Sequence, residues 1–228
     1  MSVNIAIDGP AGAGKSTIAK KVAGELGYIY VDTGAMYRAV GLYFSRLGLS
    51  DGDQDRMASE VSGADVSIRH ENGTQKIFLN GENVDPEIRT PEISRIASVC
   101  SAVPEVRTHL LELQRKTARE ENVVMDGRDI GTVILPHADV KIFLTADPGV
   151  RALRRYEELI ARGEKAVLED IEREVRERDE RDMNRETAPL KQADDAVLVD
   201  SSHMTIDEVR DRIISIVREK CPEEQAQQ

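Results

Sequence analysis

Residues 9–16 read Gly-Pro-Ala-Gly-Ala-Gly-Lys-Ser and follow the apolar segment Val3–Asp8. They match the complete G-x-x-x-x-G-K-[ST] pattern of a phosphate-binding loop, placed between a predicted strand and a predicted helix. Its glycines let the backbone turn tightly and point N–H groups at phosphate oxygens, and the amino end of the helix adds positive potential. The stretch therefore predicts an α/β fold that binds nucleotide phosphate.

The end of this loop supplies the side chains that a nucleotide site needs. Lys15 can extend its ammonium to the β- and γ-phosphates, and the Ser16 hydroxyl can bind a Mg²⁺ ion that bridges them. A glycine-rich turn without a ligand is the alternative, but all eight positions match, and the helical spacing of Ile18, Val22 and Leu26 follows. The residues predicted to bind the nucleotide are Gly9, Pro10, Ala11, Gly12, Ala13, Gly14, Lys15, Ser16 and Thr17.

The composition limits the class of protein. The chain has 228 residues, enough for one well-packed α/β domain with an inserted lobe but too few for two independent enzymes. It carries 31 Lys and Arg against 42 Asp and Glu, and the net charge of -11 argues against general binding to nucleic acid or to an anionic membrane. Any anionic ligand must therefore meet a local cluster of basic side chains.

Other features favour a cytoplasmic protein. Cys100 and Cys221 lie far apart without metal-binding spacing, which indicates free thiols in a reducing compartment. No apolar run reaches the length of a membrane span, and the chain starts without a basic leader or a cleavage site. We expect a monomer whose partners are small molecules, with no nucleic acid and no membrane among them.

Short apolar runs alternate with longer segments of helical period, which is typical of a parallel sheet covered by helices. The first helix is predicted to end at Gly27, and the next strand begins at once, which supports adjacent parallel packing. The chain is therefore predicted to be α/β, with strands at 2–8, 28–32, 122–126, 140–145 and 196–200.

A different pattern interrupts this alternation between residues 63 and 90. Apolar residues there recur at every second position, and the dipeptides Asn72-Gly73 and Asn80-Gly81 divide the runs. Asn-Gly between alternating runs indicates a tight hairpin, so we predict a small antiparallel three-stranded insertion. A lobe that closes over a second substrate and a surface meander without function are both open interpretations.

The rest of the chain is predicted to be mainly helical. Pro104 divides the segment 90–119 into two helices, and a long charged helix spans 168–185. In the charged helix, acidic residues precede basic ones by four positions, which supports an exposed helix. The tail from Pro222 to Gln228 is expected to fray. The four pairs are Glu169–Arg173, Glu172–Arg176, Glu174–Arg178 and Glu177–Arg181.

Two groups of polar residues follow predicted strands, at the edge where parallel sheets bind ligands. They are the segments 32–38 and 126–129. Asp126 could hold Mg²⁺, and Arg128 could bind a phosphate with two hydrogen bonds. Structural roles are open alternatives: a helix N-cap for Asp32 or Thr33, a packed aromatic ring for Tyr37, and an ion pair for Arg128.

A third group lies on the charged helix. The spacing of Arg178, Arg181, Asp182 and Arg185 predicts one helical face, and clustered arginines in an acidic protein suggest a polyphosphate ligand. An exposed helix with ion pairs is the alternative, although it explains Arg185 less well. Two phosphorylated substrates repel each other, so the abundance of arginines favours phosphoryl transfer to a phosphate acceptor.

Five motifs, in their order and spacing, resemble those of the bacterial cytidylate kinase family of nucleoside monophosphate kinases. The resemblance extends from about Val3 to Ile216. The phosphate loop alone would indicate only a nucleotide-binding protein. The motifs are IAIDGPAGAGKST, DTGAMYR, GENVDPEIRT, DGRDIGT and ERDERDMNRETAPL.

This resemblance implies transfer of the γ-phosphoryl group of ATP to CMP or dCMP with Mg²⁺, a reaction of pyrimidine metabolism. It implies a P-loop kinase fold with a five-stranded parallel sheet in a single domain, 1–228. Within that domain we expect a monophosphate-side β lobe at 63–90 and a short lid with the arginine-bearing helix at 151–186.

The resemblance also implies a role for each site residue. Asp129 can accept from the exocyclic amine of cytosine while Arg107 donates to its ring acceptors, which predicts preference over uracil. Ser16 and Asp126 are the expected metal ligands, and Lys15, Arg128, Arg178 and Arg185 are the expected catalytic residues. The residues expected to contact cytosine are Ser98, Arg107 and Asp129. Those expected beside the monophosphate are Asp32, Thr33 and Tyr37, with Arg38 and Arg128 on its phosphate. Those expected near the ribose are Arg178 and Asp182, with Arg185 directed toward the ribose or the transferring phosphates.

Two rival functions stay open at this point. One is a phosphate-loop kinase with another acceptor, such as UMP, AMP or a small hydroxy acid. The other is a nucleotide-sensing module or regulatory ATPase, which should hydrolyse ATP slowly without a small acceptor.

Overall fold

The computed structural model describes residues 2–71 and 74–222. A five-stranded parallel sheet lies at its centre, in the strand order β2-β6-β1-β7-β8, so the predicted α/β fold and all five predicted strands are confirmed. β1 at the middle pairs with β6 on one side and β7 on the other. The strands are β1 (Asn4–Asp8), β2 (Ile29–Asp32), β6 (Val123–Gly127), β7 (Val140–Thr145) and β8 (Val197–Asp200).

Helices connect these strands and follow the expected start and stop signals. Gly27 adopts a left-handed conformation (φ 70°) and ends the first helix, as predicted. Pro104 occupies the first turn of a new helix, which confirms the predicted break. The helices are α1 (Lys15–Leu26), α2 (Thr33–Arg46), α3 (Gln54–Glu60), α4 (Pro91–Cys100), α5 (Pro104–Glu120), α6 (Pro148–Ala161), α7 (Leu168–Asn184) and α8 (Ile206–Lys220), with a 3₁₀ turn at Val61–Gly63 and a π-helical turn at Ile130–Ile134.

Two apolar cores, one on each face, hold the sheet between the helices. Residues of α1 and α8 pack on one face, and residues of α2, α4 and α5 pack on the other. α2 and α4 approach closely at Gly41, where a Cβ atom would lie 3.1 Å from the backbone nitrogen of Ala97. None of the helices in the described ranges has the length and apolar character that crossing a bilayer requires.

The predicted insertion is a three-stranded antiparallel sheet of β3 (Val66–Glu71), β4 (Thr74–Leu79) and β5 (Glu82–Asn83). Asn80 and Gly81 both have positive φ, 50° and 83°, and form the tight turn that Asn-Gly predicts. The other dipeptide, Asn72-Gly73, lies outside the described residues, as does the tail beyond Pro222. Buried side chains such as Ile77 join the core beside α2, so the insertion is packed on the domain.

α7 differs from its prediction in two respects. The Glu172–Arg176 pair forms at 2.5 Å, whereas Arg173 contacts Asp170 at 2.6 Å instead of Glu169. The helix also ends at Asn184, and Arg185 follows it in an extended conformation (ψ 140°). The Arg185 backbone N–H still donates to the Arg181 carbonyl at 3.1 Å and its φ of -64° is helical, so Arg185 projects from the last turn of the helix, as predicted, and the chain leaves the helix after it.

One buried side chain of α5 gives a stability prediction. Gln114 is only 1% exposed, and in the described part of the chain neither its amide oxygen nor its amide nitrogen has a hydrogen-bond partner. Because an unpaired buried amide costs about 1–3 kcal/mol, Gln114→Met should raise the free energy of unfolding by about 1 kcal/mol in urea denaturation.

The control for this variant is Gln192→Met. The Gln192 amide nitrogen donates to the Ala196 carbonyl at 2.9 Å, so its loss should give no gain in stability. A Gln114→Met protein that is less stable than the parent would show that the Gln114 amide is satisfied in solution.

Candidate active site

A cleft of about 330 Å³ opens at the carboxyl edge of the parallel sheet. The phosphate loop lies at one end, the segments after β2 and β6 form its floor, and α4 and the end of α7 form its walls. This is the edge at which the sequence placed the polar groups, because the carboxyl ends of parallel strands meet there.

The phosphate loop is shaped by three glycines with positive φ. Gly9 has φ 149°, and a Cβ atom there would lie 1.9 Å from the Leu144 carbonyl oxygen, so no other residue fits. Gly12 (φ 75°) and Gly14 (φ 85°) adopt left-handed conformations, and Gly14 is the N-cap of α1. The amino end of α1 therefore faces the cleft, as an anion-binding helix end must.

Arg151 fixes this loop to α7. Its side chain is 2% exposed and donates to the Ala11 carbonyl at 2.9 Å and to the Asp179 carboxylate at 3.1 Å. The loop and the helix that bears Arg178 are thus held by one buried guanidinium. Arg151 was not predicted from the sequence, because nothing in its local pattern separates it from the neighbouring Arg154 and Arg155.

Lys15 lies in the cleft at 6% exposure, and its ammonium donates to the Pro10 carbonyl at 2.7 Å. Burial, together with the nearby guanidinium of Arg128, holds the pKa of Lys15 well below its usual value. Several cations are therefore packed together here, an arrangement that favours an anionic ligand.

Ser16 and Asp126 bring two oxygen ligands together beside the loop. The Ser16 hydroxyl donates to Asp126 Oδ2 at 2.9 Å, and the Tyr30 hydroxyl donates to Oδ1 at 2.8 Å. Burial, helped by the negative charge of Asp32, raises the pKa of Asp126 to about 6. In the described ranges no group of three or more His, Cys, Asp or Glu could hold a metal ion.

The segment after β2 combines structural and site roles. Asp32 Oδ1 accepts from the Ala35 backbone N–H at 2.8 Å, so the alternative interpretation of Asp32 as a helix N-cap is confirmed. The same carboxylate forms an ion pair with Arg38 at 3.2 Å. Thr33 donates to the Asp126 carbonyl at 2.7 Å, which joins the ends of β2 and β6. All these side chains also line the cleft.

Arg128 and Arg178 both line the cleft and lie close enough for their charges to interact. Arg128 Nε donates to Asp182 Oδ2 at 2.9 Å, which is the ion pair left open by the sequence. Burial and the charge of Arg128 lower the pKa of Arg178 to about 10, and Arg178 Nε is buried without a hydrogen-bond partner in the described chain. Burial alone would raise the pKa of Asp182, but the two arginines outweigh it and lower that pKa.

Asp129 lies at the far end of the cleft between two arginines. Its Oδ2 accepts from Arg107, and its Oδ1 lies 3.7 Å from Arg185. Burial raises the pKa of Asp129, and both guanidiniums partly offset that rise. The Tyr37 hydroxyl is buried nearby without a partner among the described residues. The carboxylate of Asp129 and the N–H donors of its two arginines therefore lie together, which suits a ligand that has both hydrogen-bond donors and hydrogen-bond acceptors.

The structure brings nearly all predicted site residues into this one cleft. Gly9, Pro10 and Ala13 belong to the phosphate loop but do not line the cleft. Ser94 and Ser101 were missed, although they lie four and three residues from Ser98, a helical spacing that could have found them, and Ala97, next to Ser98, was missed as well. The lining residues that were predicted are Ala11, Gly12, Gly14, Lys15, Ser16, Thr17, Asp32, Thr33, Tyr37, Arg38, Ser98, Arg107, Asp126, Arg128, Asp129, Arg178, Asp182 and Arg185.

Comparisons with known proteins agree with this geometry. The family model for cytidylate kinase matches residues 5–219. A cytidylate kinase of Geobacter sulfurreducens is 50% identical over 216 residues, which cover 95% of this chain and 93% of the relative. That of Caldicellulosiruptor bescii is 47% identical over 214 residues, 94% of this chain and 95% of the relative. An uncharacterized Eubacterium ventriosum protein of known structure shares the fold, with TM-score 0.51 and 14% identity over 95% of this chain and 98% of its own.

Proposed function

Because the chain belongs to the cytidylate kinase family, we propose that this cleft transfers the γ-phosphoryl group of ATP to CMP or dCMP. The products are ADP and CDP or dCDP. The observation that carries the proposal is the shared cleft, in which Lys15 of the phosphate loop lies with the guanidiniums of Arg38, Arg128 and Arg178.

Charge explains why this cluster suits the reaction. ATP brings about four negative charges and a nucleoside monophosphate nearly two, so the substrates repel each other. The transition state is loose, with charge on the peripheral phosphate oxygens, and positioning and cationic stabilisation supply most of the catalysis. The phosphate acceptor is itself an anionic nucleophile, so a strong general base is unnecessary.

Each end of the cleft has its own substrate in this proposal. The backbone amides of the phosphate loop and Lys15 bind the β- and γ-phosphates of ATP. Arg38 and Arg128 hold the acceptor phosphate, and Arg178 lies near the ribose of the acceptor. Asp182 keeps Arg128 in place through its 2.9 Å hydrogen bond.

The Ser16 hydroxyl and the Asp126 carboxylate are the residues that would hold Mg²⁺. Both are hard oxygen ligands, they lie 2.9 Å apart, and they face the phosphate loop, so the site fits this ion. An ion held by these two residues would neutralise part of the negative charge of the nucleotide phosphates.

The base of the acceptor is proposed to lie against Asp129, Arg107 and Ser98. Asp129 accepts from the exocyclic amine of cytosine, and Arg107 donates to its ring acceptors. Uracil presents a carbonyl to the carboxylate of Asp129 instead. The cleft should therefore prefer CMP to UMP.

Two segments are proposed to close over the substrates and exclude water, which would otherwise react with ATP. They are the insertion at 63–90 and the lid with the arginine-bearing helix at 151–186. The insertion touches the site directly, since the Gln75 side-chain oxygen accepts from the Asp32 backbone N–H at 2.8 Å. The monomeric state and the cytoplasmic location stay predictions from the sequence.

A panel of acceptors tests the function. With ATP and Mg²⁺ we expect rapid ADP formation with CMP and dCMP, and rates at least tenfold lower with UMP, AMP and GMP, because the base contacts discriminate. ADP release is measured in a coupled assay. Equal rates across the panel would overturn the base contacts, and slow ADP release that no acceptor stimulates would favour a regulatory ATPase.

A further inference from the structure

Ser101 caps the carboxyl end of α4, at the wall of the cleft where the acceptor base is proposed to lie. The family resemblance gave it no role. Its hydroxyl donates to the Ser98 carbonyl at 2.8 Å and accepts from Arg185 NH1 at 3.1 Å. Its backbone carbonyl accepts from Arg107 NH1 at 3.2 Å. One residue therefore contacts three of the proposed acceptor-binding residues.

The contact with Arg185 is the informative one, because Arg185 is the C-cap residue of α7 and the chain leaves the helix directly after it. Its Nε donates to the Ala188 carbonyl at 2.7 Å, and its NH1 donates to Ser101. Its NH2 group lies 3.7 Å from Asp129 Oδ1 and, within the described residues, makes no hydrogen bond although it is buried.

These contacts fix the plane of the guanidinium. A planar guanidinium held at two of its nitrogens has one orientation, whereas a single bond at Nε leaves the terminal nitrogens free to rotate away from Asp129. The remaining NH2 donors then face the space beside Asp129, where the acceptor nucleoside is proposed to bind.

We propose that Ser101 is a positioning residue that fixes the Arg185 guanidinium, so that its free NH2 group donates to the acceptor nucleotide. This inference rests on the proposed function. The competing interpretation is local, because a serine at this position also closes the last turn of α4 through its bond to the Ser98 carbonyl.

The test compares Ser101→Ala with Ser101→Thr in steady-state kinetics at saturating ATP. A hydrogen bond to a charged group contributes enough that its loss should raise the KM for CMP about five- to tenfold. We expect kcat and the KM for ATP to change less than twofold, because the hydrogen bonds of Ser101 are to Ser98, Arg107 and Arg185. Ser101→Thr keeps a hydroxyl and should restore most of the affinity.

Ser59→Ala is the matched control. Ser59 donates to the Arg56 carbonyl at 3.0 Å, the same three-residue spacing as Ser101 to Ser98, but on the exposed helix α3. It should leave the KM for CMP unchanged. Thermal unfolding of all three variants measures the purely local contribution of each hydroxyl.

Three results would overturn the inference. They are an unchanged KM for CMP in Ser101→Ala, an equal rise in the KM values for CMP and ATP, and a failure of Ser101→Thr to restore affinity while remaining folded. Failure of the parent protein to phosphorylate CMP would instead overturn the proposed function, so the two failures are distinguishable.

Discussion

Replacing Lys15 by alanine is expected to lower kcat for phosphoryl transfer to CMP about a thousandfold. The Lys15 ammonium is buried in the cleft beside the loop glycines, and its pKa is depressed by burial and by Arg128. It is the cation of the phosphate loop placed to compensate the charge that develops on the transferring phosphoryl group. A buried, water-excluded charge is worth far more in this role than one at the surface.

Lys21→Ala is the control for this variant. Lys21 lies on the same helix but is exposed, and its ion pair with Asp207 at 3.2 Å joins two exposed side chains. Exposed pairs of this kind contribute little, so kcat should stay within twofold of the parent. If Lys15→Ala, folded by circular dichroism, transferred phosphate at the parent rate, the donor site would not be the phosphate loop.

Asp129→Asn is expected to remove the preference for cytosine. The variant keeps the shape of the side chain but replaces an acceptor oxygen with an N–H donor, which repels the exocyclic amine of cytosine and suits the carbonyl of uracil. We expect kcat/KM for CMP to fall about a hundredfold, and the ratio of CMP to UMP to fall by at least as much. Both constants are measured with each acceptor at saturating ATP.

The structure adds a second consequence for this variant. Asp129 neutralises Arg107 and Arg185, whose side chains are only 9% and 8% exposed, so its loss leaves two buried cations with less compensation. Asp170→Asn is the matched control, because it breaks an Asp–Arg pair on the exposed face of α7. A folded Asp129→Asn enzyme that still prefers CMP would show that the base is read elsewhere.

Much of the fold could be predicted because its signals are local. Each of these signals affects only the few residues around it in the chain. They are the apolar runs of strand length, the glycine that ends α1 and the proline that begins α5. The phosphate loop is equally local. Its eight consecutive residues contain both the glycines that shape the turn and the lysine that meets the phosphate.

The candidate site could be predicted only as a set of residues. The pattern identified Asp126 and Ser16, but their contact joins positions 110 residues apart and depends on the pairing of β1 with β6. Packing likewise decided that Asp32 both caps α2 and holds Arg38. It also decided that Arg128 binds Asp182, which the sequence left open.

The sequence by itself determined the strand–loop–helix unit and the family, since both depend on contiguous motifs. Only the tertiary structure decided that the guanidinium of Arg185, at the end of α7, is held by Ser101, 84 residues earlier in the chain. The physical reason is that turn chemistry and periodicity are properties of neighbours along the backbone. The orientation of a side chain in a cleft depends on buried partners that only the folding of distant segments brings within hydrogen-bond distance.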